Sequence, residues 1–287
     1  MPKTRIGISG WRYAPWRGVF YPEDLRQRDE LHYASRQFNT IEINGSFYSL
    51  QSPSNYQRWY AETPRGFVFA VKAPRYVTHI KRLKNAEQGV ANFFASGVLA
   101  LKEKLGPILW QLPPSLRYDE EKLESFLRQL PRNSESLAEI AREHDDTVEK
   151  VIVKADRKRA VRHAMEVRHP SFVNESFIAQ LRRHDVALVV ADTAGKWPFL
   201  EDVTARFMYL RLHGDKVLYA SGYSNAALTR WCRHIDAWRK GSEPEDATRC
   251  SDEKPRKRTG RDVYCYFDND TKVKAPFDAR KLAEKLA

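Results

Sequence analysis

Eight short segments that alternate apolar and polar residues, and that end in polar side chains, constrain the fold of this chain more than any other feature. In residues 163–170 (HAMEVRHP), Met165 and Val167 fall on one side of an extended strand, and Glu166 and Arg168 fall on the other. Helical patterns separate the eight segments, which predicts a parallel sheet. Eight such units in 287 residues predict an α/β fold, a single (β/α)8 TIM barrel.

An open, doubly wound sheet is the alternative architecture. It would need a glycine-rich phosphate loop after an early strand, and the residues Gly7 to Gly10 do not supply the full fingerprint. We therefore expect one domain over 1–287, with two charged insertions. Residues 132–162, between strands 4 and 5, end in a basic run at 154–159, and residues 240–261, before strand 8, contain KPRKR at 254–258. The second insertion is predicted to be a basic mobile loop. Either run could contact phosphates, although a solvated loop is the favoured interpretation.

Charge and composition restrict the partners and the location. The formal net charge is +12, which favours an anionic small molecule or nucleic acid. No helix-turn-helix, RRM or zinc-finger motif accompanies the charge. No apolar run is long enough to span a membrane, so no membrane partner is expected, and the first residues lack the apolar segment of a signal peptide. The three cysteines, Cys232, Cys250 and Cys265, have no metal-binding spacing, which indicates reduced thiols and a cytoplasmic location.

The carboxyl ends of the strands form the active-site face of a TIM barrel, so the polar residues there are the candidate site. On the faces opposite the aliphatic residues, the strand ends offer Ser9, Glu42, Asn44, Lys72, Gln111, Glu166, Arg168, Asp192, Arg211, His213 and Asp268. The loops that follow add Trp11, Tyr48, His79, Lys81, His169 and Asn269. A salt-bridge network that only closes the barrel is the structural alternative.

Roles follow from the chemistry of these side chains. Glu42, Glu166, His213 and Asp268 are the candidate catalytic acids and bases. The remaining ring and loop residues are candidate ligands of the substrate or of an anion. Arg168 and Arg211 can each hold a phosphate or carboxylate by two hydrogen bonds, with Lys72 as a point charge. Because Arg168 shares a face with Glu166, it should keep the glutamate ionised, which favours a base over a proton donor.

A divalent metal remains an alternative, with metal-free chemistry favoured. Glu42, Glu166, Asp192, His213 and Asp268 could ligate Mg²⁺ or Mn²⁺, or Zn²⁺ with more histidine. Lys72, Arg168 and Arg211 would compete for those carboxylates, and no HExxH or paired-cysteine motif occurs. A covalent mechanism has less support, because Ser9 has no evident base and Cys265 points to the aliphatic side.

Several motifs, taken in order, resemble one family. They are SGW at 9–11, WRGVFYP at 16–22, FNTIEIN at 38–44, FAVKAP at 69–74, THIK at 78–81, QLPP at 111–114, EVRHP at 166–170 and YFDND at 266–270. They are similar to the YecE-like barrels, the domain family of unknown function 72. The resemblance implies a TIM-barrel fold. It implies no catalytic residues, because no activity is established for the family. The chain departs from the compact family pattern at 132–162 and 240–261.

Three functions are consistent with this sequence. The favoured one is an enzyme that acts on a phosphate-bearing substrate, for example nucleic acid, by acid/base chemistry at the barrel mouth, in the manner of a phosphoester hydrolase. The second is a non-enzymatic barrel that binds nucleic acid through basic loops and stacked aromatic rings. The third is a metal-independent enzyme for a small carboxylate or sugar. The sequence indicates neither the reaction nor the oligomeric state.

Overall fold

The computed structural model of the protein describes residues 2–287, and eight parallel strands form a closed barrel in it. The strands follow one another in sequence order, and β8 closes the barrel by pairing with β1. The strands are β1 Thr4–Ser9, β2 Thr40–Ile43, β3 Val68–Lys72, β4 Leu105–Gln111, β5 His163–Glu166, β6 Ala187–Asp192, β7 Phe207–Leu212 and β8 Asp262–Phe267. The TIM-barrel prediction is therefore confirmed.

Helices surround the barrel, and polar side chains begin several of them. Asn174 accepts a hydrogen bond from the Phe177 N–H at 2.9 Å and Ser224 accepts one from the Ala227 N–H at 3.2 Å, so each satisfies a helix donor that lacks a partner within its own helix. The helices are α1 Glu30–Gln37, α2 Gly45–Tyr48, α3 Pro53–Glu62, α4 Glu87–Ala95, α5 Glu120–Gln129, α6 Ser134–Arg142, α7 Glu175–Arg183, α8 Asn225–Arg239 and α9 Ala275–Leu286. Within residues 2–287, none of the helices is long and apolar enough to cross a membrane.

Two apolar layers follow from the alternation along the strands. Side chains such as Ile41, Met165 and Cys265 belong to the outer core, where strands pack against helices. Residues of the opposite parity fill the barrel with small and aromatic side chains: Ala70, Leu109, Ala164, Val189, Tyr209 and Tyr266. Each fully buried aliphatic or aromatic side chain contributes about 1.5–3 kcal/mol. Apolar packing fills the middle of the barrel, with Arg162 and Asp262 paired at its amino end and the candidate site residues at its carboxyl end.

The first inserted segment is an ordered part of the barrel wall. Its helix α6 packs against α4, and the chain returns to β5 beside its own start. The Ser134 N–H donates to the Arg159 carbonyl at 2.8 Å, and the Val161 N–H donates to the Arg132 carbonyl at 3.0 Å. Residues 132–162 therefore form a loop whose two ends are hydrogen-bonded to each other just before β5.

The connection between β6 and β7 differs from the regular pattern, because residues 193–206 contain no helix. The second inserted segment packs against it instead. Buried Glu201 accepts a hydrogen bond from the Thr248 N–H at 2.9 Å, and buried Asp202 accepts bonds from Cys250 and Ser251 at 2.8 and 3.0 Å. These bonds fix residues 248–251 to the barrel. The mobility of the rest of 240–261 stays a prediction.

Candidate functional site

A layer of charged side chains closes the barrel at the carboxyl ends of the strands. Glu42, Lys72, Glu166 and Arg211 come from β2, β3, β5 and β7, and Asp268 follows β8. The first four are buried, and the Asp268 side chain is 13% exposed. These residues share the inward parity of the inner core, so the alternation that packs the barrel also delivers them to one place.

Arg211 is the centre of this layer. Its guanidinium donates to both oxygens of Glu42 at 2.9 and 3.1 Å, to Glu166 Oε2 at 2.7 Å and to Asp268 Oδ2 at 2.9 Å. Nη2, which donates to Glu42 Oε1 and Asp268 Oδ2, also lies 3.2 Å from Ser9 Oγ. The side chain is 1% exposed, so its N–H groups are directed at protein acceptors. An anion could reach Arg211 only by displacing one of these carboxylates.

Glu42 has both oxygens occupied as well. Besides Arg211, it accepts hydrogen bonds from the Ser9 hydroxyl and, at 2.6 Å, from the Tyr209 hydroxyl. Asn44 donates to Ser9 Oγ at 2.8 Å and extends the network towards the surface. Tyr209 was missed from sequence, although it shares the inward parity of Arg211 two residues later. This arrangement suits a fixed counter-ion better than a mobile base.

Glu166 lies between two arginines. It accepts from Arg168 Nε at 2.7 Å, and Arg168 also donates to Gln111 Oε1 at 2.9 Å. Burial opposes ionisation, but the positive charges of Arg168 and Arg211 hold the pKa of Glu166 well below its usual range. The glutamate is therefore a stable anion, in the charge state expected from sequence. The Arg168 guanidinium stacks on Trp197, with its Cζ 3.8 Å from the ring centroid.

Asp268 and His213 form a second pair beside Arg211. His213 Nδ1 lies 3.0 Å from Asp268 Oδ2, outside good hydrogen-bond geometry, and its Nε2 is 3.4 Å from Arg211 Nη1. Burial opposes ionisation of Asp268 too, yet Arg211 and His213 hold the pKa of this carboxyl below its usual range. His213 is fully buried, and the Tyr219 ring packs edge-on against it with the centroids 5.3 Å apart. A substrate could contact His213 directly only if the side chains that bury it moved.

Lys72 is the exception in the charged layer. Within residues 2–287, its Nζ has neither a hydrogen-bond acceptor nor a carboxylate oxygen within 4.0 Å, and it lies over the Phe47 ring at 4.3 Å. Burial, reinforced by the charge of Arg211, lowers the pKa of Lys72 to about 8. A buried ammonium normally has a partner because desolvation is costly. Lys72 is thus a cation with free donors at the barrel mouth.

Asp270 lies two residues after Asp268 of the charged layer, and it was not identified from the sequence as a site residue. Burial, together with the charge of Asp268, raises the pKa of Asp270 to about 6. Its backbone carbonyl accepts a bond from Trp16 Nε1 at 3.4 Å, which ties this loop to the one after β1. The acidic motif YFDND at 266–270 is the sequence feature that could have indicated Asp270, but it indicates Asp268 more strongly because Asp268 directly follows the strand. Asp270 and Lys72 are the two groups of the mouth whose pKa values move towards neutrality.

An aromatic cleft of about 310 Å³ adjoins the charged layer on the side of β1 and β2. Trp11, Asn44 and Tyr48, three of the predicted ligand residues, line it together with Arg12 and Tyr13. Trp11 is largely buried against Trp59, whereas Tyr48 is 71% exposed. The cleft offers flat surfaces and one cation, and a planar or sugar-like group would fit there.

The loop histidines and Lys81 lie around the mouth with different surroundings. His79 is half-buried against Phe47, and burial together with the charges of Lys72 and Arg168 lowers its pKa to about 4. His169 Nδ1 accepts the Ser171 N–H at 3.1 Å and so begins a short helical turn. Lys81 is half-buried, with its Nζ 5.8 Å from the Tyr76 ring centroid. His79 is thus a neutral ring in a positive field.

Two of the predicted site residues, Asp192 and Asn269, are not part of the charged layer. Asp192 lies on the opposite face of β6, where its carboxylate accepts from the Tyr223 hydroxyl at 3.1 Å, and Ala191 takes the inward position. Burial raises the pKa of Asp192. Asn269 is fully buried and donates to Asp278 Oδ2 at 2.9 Å, which ties it to α9. Both residues support the structure around the mouth and do not face it.

The candidate metal ligands do not form an ion site in the described part of the chain. Glu42, Glu166 and Asp268 are each bound to Arg211, and Asp192 is on another face. Among residues 2–287, no group of three histidine, cysteine or acidic side chains is arranged to hold an ion. The donor set therefore fits an arginine better than a divalent cation.

A closed eight-stranded barrel with a charged layer at the strands' carboxyl ends places this chain in the TIM-barrel class. Within that class, the chain belongs to the family described as "Protein of unknown function DUF72", whose model matches residues 5–287.

Two curated relatives are similar in sequence to this chain over part of their length. YunF of Bacillus subtilis is 30% identical over 128 residues, which are 43% of this chain and 44% of that protein. YecE of Escherichia coli K12 is 30% identical over 129 residues, 44% of each chain. The matched region therefore spans less than half the length of these relatives.

Solved structures of the family share the fold over the whole chain. A DUF72 family protein from Thermotoga maritima superposes with a TM-score of 0.73 at 24% identity, covering 99% of both chains. One from Enterococcus faecalis gives a TM-score of 0.69 at 15% identity, covering 99% of this chain and 95% of that one. At these identities the likeness supports the barrel fold alone.

Proposed function

We propose that the carboxyl-terminal mouth of the barrel is the active site of an enzyme that binds a small phosphate-bearing substrate and transforms it by acid/base chemistry. The observation that carries this proposal is the unpaired ammonium of Lys72. Desolvating a cation without a partner weakens the fold. A cost of this kind is accepted at functional sites, where a ligand supplies the missing partner.

The surroundings of Lys72 favour an anionic group. Burial, and after it the positive charges of Lys72 and Arg168, lower the pKa of His79, so the two cations make the potential at this part of the mouth positive. Arg168 uses Nε and Nη2 for Glu166, Gln111 and Tyr219, and its Nη1 has no acceptor within residues 2–287. Lys72 and Arg168 can therefore both donate to phosphate oxygens.

Proton transfer is assigned to Asp270 and Lys72, in place of the tightly paired carboxylates. A general acid or base works best when its pKa is near the working pH. The pKa of Asp270, raised by burial and Asp268 to about 6, meets this condition, as does the Lys72 value of about 8. The Arg211 network holds Glu42, Glu166 and Asp268 in place and acts as the support of the site.

Binding of anions tests the first half of this function. The thermal stability of the protein is measured with a panel of sugar phosphates, nucleoside monophosphates and matched carboxylates. We expect a phosphate compound to stabilise the wild type, with the effect fading as pH rises through about 8, because Lys72 loses its proton. Lys72→Met should abolish the part of the effect that fades above pH 8, and Lys84→Met, an exposed lysine of the same region, should leave that part intact.

Turnover of the bound compound tests the second half. Asp270→Asn should reduce the turnover number at least a hundredfold while ligand-induced stabilisation persists. A panel in which only carboxylates or sugars stabilise the protein would favour the small-carboxylate or sugar enzyme instead. Equal stabilisation of the wild type and Lys72→Met would refute the mouth as the anion site. Binding without any turnover in the wild type would point to a binding protein.

A further inference from the structure

A polar cleft with a volume of about 350 Å³ lies at the opposite end of the barrel. Its walls are the end of α7, residues 203–206 before β7, and residues 253–258 together with Arg261 before β8. All these segments lie at the amino ends of the strands. The cleft, which we call the basal cleft, is thus separated from the mouth by the length of the barrel.

The basal cleft is strongly positive. Seven cationic side chains line it, against two carboxylates, Asp185 and Glu253. Those carboxylates are already used, since Asp185 binds Arg206 Nε at 2.5 Å and Glu253 lies 3.3 Å from Arg182 Nη1. Four other cations have no carboxylate oxygen within 4.0 Å in the described chain: Lys254, Arg256, Arg258 and Arg261.

Two guanidinium groups that line the basal cleft each have a buried nitrogen without an acceptor within residues 2–287. Arg261 is 1% exposed and donates to the Ser242 and Arg256 carbonyls at 3.4 and 3.1 Å, but in the described part of the chain its Nε has no partner. Arg182 donates through Nε to the Val203 carbonyl at 3.2 Å, whereas its buried Nη2 has no partner among the described residues. A buried donor without an acceptor weakens the fold. Because neither nitrogen is exposed to solvent, an acceptor in the cleft would reach them only after a local shift of these side chains.

The frame of the basal cleft is already assembled. The carboxylates of Glu201 and Asp202 hold the backbone of residues 248–251, and Arg182 Nη1 donates to Ser251 Oγ at 3.3 Å. The wall that carries Arg256 and Arg258 therefore starts from a fixed point on the barrel. A ligand would not have to order this anchor before binding.

We propose that the basal cleft is a phosphate-binding site. A phosphate carries several acceptor oxygens and more negative charge than a single carboxylate, so it can satisfy the guanidinium groups of Arg182 and Arg261 together. The exposed Arg256 and Arg258 hold the same group or the one next to it. The phosphate is supplied either by a phosphorylated small molecule or by the backbone of a nucleic acid, and the two sources differ in affinity and in salt dependence.

The test compares two probes on matched variants. Inorganic phosphate is titrated in a thermal-stability assay, and a fluorescein-labelled single-stranded DNA of about twelve nucleotides is titrated by anisotropy at several salt concentrations. Arg256→Ala/Arg258→Ala removes two exposed cleft charges. Lys281→Ala/Lys285→Ala removes two exposed charges from α9 on the outer wall and serves as the control. Arg261→Lys keeps the buried charge but loses the planar donor set.

We expect Arg256→Ala/Arg258→Ala to weaken binding of the responsive probe at least tenfold, and the α9 control to change it less than threefold. If phosphate stabilises the wild type and the cleft variant binds DNA as well as the wild type does, the ligand is a small phosphorylated molecule. DNA binding whose salt slope falls by about 1.4 in the cleft variant identifies a nucleic acid, since each single-strand phosphate contact contributes about 0.7. Should Arg261→Lys fail to fold, the surface variant still decides the question. Equal binding by the wild type and the cleft variant, or binding of neither probe, would overturn the proposal.

Discussion

Arg211 and Glu42 form a bidentate ion pair across the barrel, from strands β7 and β2, which are not neighbours in the sheet. The pair is sealed from solvent, and the same guanidinium also holds Glu166 and Asp268. One side chain thus pairs with carboxylates from three separate segments. The charged layer is stable only while this cation is present.

Removal of Arg211 should therefore be far more damaging than removal of a surface arginine. Arg211→Met leaves three carboxylates facing one another in a buried site, and we expect it to lower the free energy of unfolding by about 3–5 kcal/mol. Arg128→Met, which breaks the exposed i,i+4 pair with Glu124, should cost less than about 1 kcal/mol. Urea unfolding of both variants measures the difference. Equal losses would mean that the layer does not depend on Arg211.

Lys72 should destabilise the protein at neutral pH. Because its folded pKa, lowered by burial and Arg211, is about 8, the unfolded chain binds more protons than the folded one between pH 8 and the ordinary lysine value. Stability from this group therefore rises over that interval. Lys72→Met should be more stable than the wild type by up to about 3 kcal/mol at pH 7, and the gain should shrink as pH rises above 8. A gain that does not change with pH would contradict the lowered pKa.

Asp270 should show the opposite pH dependence. Its folded pKa is raised by burial and Asp268 to about 6, so the folded state holds its proton over a wider range than the unfolded chain. Its stabilising contribution is complete below the ordinary aspartate pKa and is lost as pH rises through 6. Allowing for partial exposure, Asp270→Asn should gain about 1–2 kcal/mol over the wild type at pH 7. At pH 4 the two proteins should unfold at nearly the same urea concentration.

Strand alternation explains how much of this site could be predicted. On β2, the aliphatic Ile41 and Ile43 define one face, so Glu42 is assigned to the barrel interior without ambiguity. Strand β6 reads ALVVAD and is apolar on both faces, as strands buried on both sides are. Parity cannot be assigned from such a segment, and Asp192 was therefore placed on the wrong side.

Pairing could not be predicted from residue types. Lys72 and Arg211 are both cations at strand ends near the same carboxylates, yet within residues 2–287 only Arg211 of the two donates hydrogen bonds to them. Which cation receives the acids depends on side-chain length and barrel register, and the strand pattern contains neither. The basal cleft could not be predicted from the sequence for another reason. Arg182, Arg206 and Arg261 come from distant parts of the chain, and only the closed barrel brings them together.

His163, at the start of β5, should govern part of the acid sensitivity of the fold. Its Nδ1 accepts from Trp110 Nε1 at 3.1 Å, and its Nε2 donates to the Pro131 carbonyl at 2.8 Å, so the neutral ring satisfies both neighbours. Burial lowers the pKa of His163 to about 4. The unfolded chain takes up a proton first as pH falls below the ordinary histidine value, so stability is lost between about pH 6.5 and 4, by up to about 3 kcal/mol. His163→Gln should be less stable at pH 7 but should lose less on acidification than the wild type. The exposed His32→Gln should follow the wild-type curve, and a wild-type slope in His163→Gln would mean that another group carries the acid response.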